Sequence, residues 1–181
     1  MTANTQSLQD KLAARGIEWA QIALPAALRA EDMWEFPDGW DRVPKEVLGL
    51  AEGQPGPEIF ASTTPYEGFS ANACAQAFLL RGGVELPTLL DGVHDQLPPD
   101  STTQNFESRQ IKATPAGVTT RMVSVYSASP HGEPLTCTAE SLYDLAPLGD
   151  GERYLLVQRT VTARVDDPAP LPTFKDVLQG A

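Results

Sequence analysis

The chain has 181 residues, 41% of them apolar, and 13 Lys and Arg against 24 Asp and Glu give a net charge of −11. That length suits one domain over 1–181 with one sizeable core. A pI near 4.5 excludes the basic face that a nucleic-acid backbone or an anionic membrane surface demands.

The longest uncharged stretch, 68–80, falls short of the ~18 residues a spanning helix needs. The start, Met1-Thr2-Ala3-Asn4, carries neither a basic-then-apolar leader nor a lipid-bearing Cys, so a cytoplasmic location is expected.

Ser7 with Asp10 three residues on resembles a capping box, and Leu8 and Leu12 fall at i, i+4. Together they predict a short helix that Gly16 stops. Residues 23–33 could add another helical turn. Trp34 and Phe36 alternate with polar residues as at a strand end, and Pro37-Asp38-Gly39 is turn chemistry with Trp40 just beyond.

Gly49, Gly53, Pro55, Gly56 and Pro57 mark 49–57 as a flexible loop. Strands are predicted over 58–63 and 71–80. In the second, Ala71, Ala73, Ala75 and Ala77 line one face, which suggests a helix packed closely over it. The stripe Leu86, Leu89, Leu90, Val93 and Leu97 predicts that helix over 85–97, ended by Pro98-Pro99.

The apolar period then changes from 3.6 to 2. Thr103 to Lys112 is polar on both faces apart from Phe106 and Ile111, as an edge strand would be, and leaves a free edge through which two copies could pair. Val118 to Ser127 sets Met122 and Tyr126 against Val123 and Val125. The next strand puts Leu135, Cys137, Ala139, Ser141, Tyr143 and Leu145 on one face. Arg153 to Val165 puts Leu155, Val157, Val161 and Ala163 inward with Arg159 among them. The turns between are short, with Asp150-Gly151 a hairpin signal, so an antiparallel four-strand meander is expected. Leu171, Phe174, Val177 and Leu178 then predict a closing helix begun by Pro172. The sum is an α+β domain: one antiparallel sheet of about six strands, covered by helices.

No residue set names a reaction. Cys74 and Cys137 offer neither a disulfide framework nor a zinc spacing, and read as small buried side chains. Ser127 and Ser129 beside His131 lack a nucleophile-elbow pattern, so a polar hairpin loop is the simpler reading. Glu35, Asp38 and Asp41 around Trp34 and Trp40 could hold a cationic or sugar-like ligand, or the tryptophans could simply pin a turn to the core. Arg81-Gly82-Gly83 lacks phosphate-loop spacing, although an anion could sit on its amides. Arg159 needs a partner if buried, and Glu140 on the neighbouring strand is the candidate. No catalytic, metal or cofactor residues are assigned.

The element order, with Ala14-Arg15-Gly16-Ile17 before the first strand and Pro37-Asp38-Gly39-Trp40 after it, resembles the LpqN/LpqT family of actinobacteria. More broadly it resembles the PsbP-like fold shared by DcrB and the Eag secretion chaperones. The resemblance spans roughly 7–178 and implies a helix-covered antiparallel sheet and an accessory or binding role with no shared catalytic set. Pro37, Gly39 and Trp40 match the family's structural turn. LpqN-type proteins are exported lipoproteins, so the cytoplasmic Eag chaperones, which hold apolar effector segments, are the more useful comparison.

Two functions follow as expectations. The first is a non-enzymatic adaptor or chaperone for another protein in secretion or cell-envelope processes, binding through a patch that includes Trp34, Phe36, Trp40 and Tyr126. The second is a small-molecule or catalytic pocket between sheet and helix, lined by Met122, Tyr126, Tyr143 and Cys137 with His94 or Arg159 at its floor.

Overall fold

The computed structural model describes residues 6–51, 53–83, 86–90, 93–94, 101–129, 134–149 and 151–177. In chain order the elements are β1 (Gln6–Ser7), α1 (Leu8–Ala14), β2 (Glu18–Ile22), β3 (Trp34–Glu35), β4 (Trp40–Arg42), β5 (Glu58–Ser62) and β6 (Asn72–Arg81). They continue with α2 (Leu86–Leu89), β7 (Val93–His94), β8 (Thr102–Thr114), β9 (Gly117–Ala128), β10 (Leu135–Leu148), β11 (Arg153–Arg164) and β12 (Thr173–Phe174).

Among these residues an eight-stranded sheet runs β4-β5-β6-β11-β10-β9-β8, with β2 also on β6. Every pairing in it is antiparallel. The long strands β8 to β11 form the meander that period-2 alternation predicts. Gly117 opens β9 at φ +152°, where a Cβ would stand 2.4 Å from the Leu145 carbonyl oxygen, so the backbones meet there only because no side chain intervenes. The short strands β2 and β5 share the far edge of β6, covering 77–81 and 72–75 respectively.

Cross-strand partners share a face, and the register sorts the core into two layers. On one face Phe78, Leu80, Met122, Tyr143, Leu145 and Leu156 pack beneath Leu8, Leu12, Ile17, Leu89 and Leu90. We call this the leucine face. α1 presents Leu8 and Leu12 to it and ends at Gly16, whose φ of +66° supplies the left-handed cap.

On the other face Ala73, Ala75, Val157 and Val161 pack beneath Ala30, Met33, Trp34 and Phe60. The alanines leave room for the Trp34 indole. The cover is a two-stranded ribbon, β3 paired with β12, rather than a helix.

Three expectations are corrected. The molecule is mostly β, with eight strands in its main sheet, in place of an α+β domain of about six strands covered by helices. The helix expected over 85–97 is helical only at Leu86–Leu89 among the described residues. Gly92 and β-branched Val93 are poor helix residues, and Val93–His94 instead pairs in parallel with Gln6–Ser7. Leu89 and Leu90 are nonetheless buried on the sheet.

The closing helix is replaced by an extended segment. Pro168, Pro170 and Pro172 bias each preceding residue away from helix, and pairing with Trp34–Glu35 completes the ribbon. Within 23–33 only Ala30–Asp32 is helical, as one 3-10 turn.

Candidate functional site

The ribbon is held to its face by a buried ion pair. Arg159, 1% exposed, donates through Nη2 and Nε to Asp144 Oδ2 at 2.6 and 3.1 Å, and Thr119 donates to Asp144 Oδ1 at 2.7 Å. The guanidinium's Nη1 reaches the carbonyl oxygens of Met33 at 3.1 Å and Lys175 at 2.6 Å. Its carbon lies 5.5 Å from the Phe174 ring centre.

One side chain thus ties the segment before Trp34 and the segment after Phe174 to β11. We call this the clamp face. A buried charge persists only when it is paired and its donors are satisfied. Asp144, not Glu140, is the partner. Glu140 turns to Arg121 at 2.7 Å in a half-exposed pair. The side-chain donors and acceptors of this cluster are engaged in holding the ribbon.

Beside the ribbon the clamp face is open. A groove of about 190 Å³ runs between Thr138, Glu140 and Val161 of the sheet and the wall Leu171-Pro172-Thr173-Phe174. The register sets Val123 and Val125 of β9 opposite Glu140 and Thr138, which extends the groove floor with half-buried valines. Leu171, in its wall, is 37% exposed. The floor is mixed, with Val161 between the polar side chains of Thr138 and Glu140, and Glu140 is paired with Arg121.

The expected patch residues fall into one aromatic cluster plus an outlier. Trp34 is buried, its ring 5.6 Å from Phe36, 6.1 Å from Phe60 and 6.4 Å from Phe174. Phe36 lies 5.9 Å from Trp40, and both are half-buried. Tyr126 is buried on the opposite face with Cys137 and Ala139. Phe174, which belongs to both the cluster and the groove wall, was hidden inside the expected closing helix. The alternating prolines before it were the available signal. Asp38 and Asp41 are exposed beside this cluster, which pins the turn at Gly39 (φ +81°) to the core.

The leucine face carries a second polar feature. Gln21 Nε2 donates to Gln76 Oε1 at 3.2 Å, Gln76 Nε2 to Gln158 Oε1 at 2.8 Å, and Ser141 and Thr160 share a hydrogen bond at 2.7 Å. This amide and hydroxyl row crosses β2, β6, β11 and β10. Tyr143 stands directly opposite Gln158, and Met122 opposite Ser141. Met122, Tyr126, Tyr143 and Cys137 therefore share a face, while Arg159 stands on the other. The His94 side chain and His131 lie outside the described residues. Burial pushes the Cys74 thiol up to about 12 and raises that of Cys137, so both stay protonated and unreactive at neutral pH. Ser127 bonds Gln104 and Thr136 across the sheet.

At the end of the sheet Arg81 and Arg153 are cross-strand partners. With Gly82, Gly83, Gly151 and Glu152 they line a recess of about 520 Å³. Among the described residues no three His, Cys, Asp or Glu side chains converge on a metal position, and no helix is long and apolar enough to cross a membrane.

Among solved structures the chain is similar to LpqN of Mycobacterium tuberculosis, described as involved in cell envelope biogenesis. The TM-score is 0.56 at 16% identity, over 90% of this chain and 88% of that one. The fold is LpqN-like. No family model matches the chain, and no curated protein does either. At 16% identity the likeness reaches the whole LpqN-like architecture but assigns no residue a role.

Proposed function

We propose that this protein is a non-enzymatic accessory protein that holds an extended segment of another polypeptide in the clamp-face groove, as an adaptor or chaperone in cell-envelope or secretion processes. The observation that carries this reading is the groove itself, floored by Thr138, Glu140 and Val161 with Val123 and Val125 on the adjoining strand, and walled by the extended segment Leu171 to Phe174. Extended peptides dock against such surfaces through alternate side chains. An LpqN-like fold, in a neighbour described as involved in cell envelope biogenesis, supports the envelope setting. The engagement of Arg159 and Asp144 in the clamp supports a scaffold in place of a catalyst.

A photo-crosslinking residue at Leu171, with the same residue at exposed Val47 as control, tests this in the source cells. A polypeptide adduct is expected at 171, absent at 47, and lost when Val125→Glu places a charge on the groove floor. Adducts indifferent to position, or none at 171, would sink the reading.

The amide row favours a second reading, a small polar ligand held by hydrogen bonds to the half-buried Gln21, Gln76 and Gln158 on the leucine face. Native mass spectrometry of the purified protein distinguishes it. A bound small molecule lost in Gln76→Ala supports this reading, and a bare mass counts against it.

A further inference from the structure

The sheet ends at β8, whose outer edge pairs with no strand among the described residues. An edge of Thr102–Thr114 length that no described strand covers is a template for another chain. Register shifts at Thr103/Asn105 and Gln110/Lys112 bound a regular stretch, 105–110, that pairs without interruption with β9. Within it stand two charges on the clamp face, Glu107 opposite Val123 and Arg109 opposite Arg121. Like charges directly opposite are unfavourable, and the Arg121 that faces Arg109 already has its countercharge in Glu140 at 2.7 Å, so Arg109 stands beside a second guanidinium with no carboxylate opposite it on β9.

A second copy related by a two-fold axis normal to the sheet keeps the same face upward in both chains. Opposed residues must then have the same parity. An axis through Ser108 sets Glu107 of each copy opposite Arg109 of the other and Phe106 opposite Gln110. Moving the axis to residue 107 puts two glutamates face to face, and moving it to residue 109 puts two arginines face to face. Only the Ser108 axis, of these three, makes both charge rows complementary. It also gives Arg109 an opposite charge on its free side.

We infer that this chain forms a two-fold dimer by antiparallel pairing of β8 with β8 of a second copy, centred on Ser108, so that one sheet runs through both. The occupant of the edge is a second copy because the charge pattern is self-complementary in one register and repulsive in the registers either side. This inference stands apart from the groove reading, since it uses the edge of the sheet and not the clamp-face groove.

Sedimentation equilibrium of the full chain tests it. The expected mass is twice 19.5 kDa, with the dimer weakened by salt because the pairs are solvent-exposed. By symmetry each single reversal, Glu107→Arg or Arg109→Glu, turns two attractive pairs into two repulsive ones, so each should weaken self-association at least ~10-fold. Combining both reversals in one chain should restore the dimer. Mixing the two single variants should give a heterodimer that neither forms alone. Circular dichroism of the exposed-site variants confirms that they fold. A mass of one chain up to roughly 1 mM, or a dimer indifferent to both reversals, would overturn the inference.

Discussion

The two faces of the sheet are closed by different physics. On the leucine face, Leu8, Leu12, Leu89 and Leu90 lie on Leu80, Leu145 and Leu156, and the driving force is apolar area removed from water. Such a surface tolerates small changes in how its cover sits. On the clamp face the alanines of β6 contribute little area. The ribbon over them is fixed by Trp34 in the space they leave and by Arg159 bonding Asp144, Met33 and Lys175 together. Here directional contacts define one position for two segments distant in sequence. The lesson is a division of labour, in which the leucine face supplies stability and the clamp face supplies a defined edge for the groove.

The largest expected effect tests the clamp. Asp144→Asn leaves Arg159 buried without its countercharge, and breaking one side of such a pair costs about 3–5 kcal/mol. A denaturant midpoint measures this. If the clamp supplies position more than stability, the double variant Asp144→Leu/Arg159→Met should recover most of that loss. It should still expose the amides of 171–177 to faster hydrogen exchange. A double variant with native exchange there would remove the distinction between the faces.

Leu156→Ala comes next, at roughly 2–4 kcal/mol, since it opens a cavity in the leucine layer. It should leave exchange in the ribbon unchanged while lowering the unfolding midpoint. Coupled loss of ribbon protection would mean that the faces form one layer energetically.

Strands β9, β11 and the first half of β10 were legible because one face of each is the more deeply buried, and alternation reports burial directly. Met122 and Tyr126 against Val123 and Val125, and Cys137 to Leu145 on one face, stand as the period-2 pattern requires. Helices were less legible. A stripe such as Leu86 to Leu97 satisfies a 3.6 period yet cannot reveal that Val93–His94 finds a strand partner at Gln6–Ser7, which is a long-range choice.

The same limit hid the clamp. Arg159 stands opposite Leu142, so Glu140 and Asp144 are both diagonal neighbours, two residues away in opposite directions. Sequence cannot choose between them. The fold chooses Asp144 because the Met33 and Lys175 carbonyls lie on that guanidinium, while Arg121 takes Glu140. Leu171 and Phe174 were missed as groove residues for a related reason. Their wall exists only once β12 pairs with β3.

The smallest expected effect concerns acid, and it sharpens the comparison without disturbing either core. Glu58 shares the clamp face with Ala75 and lies between Lys45 at 2.8 Å and Arg42. Burial raises its carboxyl pKa, but hydrogen bonds from Lys45 and Arg42 and their charges outweigh that and hold it below the ordinary 4.5. A carboxylate depressed on folding contributes stability that is complete above its unfolded value and is lost as pH falls through the lower folded value. Acid below about pH 4.5 should therefore loosen the clamp-face side of the molecule first. The tryptophans divide to report this, because Trp34 and Trp40 pack on the clamp side while Trp19 packs edge-on to Phe78, 5.7 Å away on the leucine face. In fluorotryptophan NMR, the Trp34 and Trp40 signals should shift at higher pH than that of Trp19. Glu58→Gln should narrow that gap by removing the group that titrates. A Trp19 signal that moves first would show that acid enters through the leucine face, and the tie at Glu58 would then have no part in it.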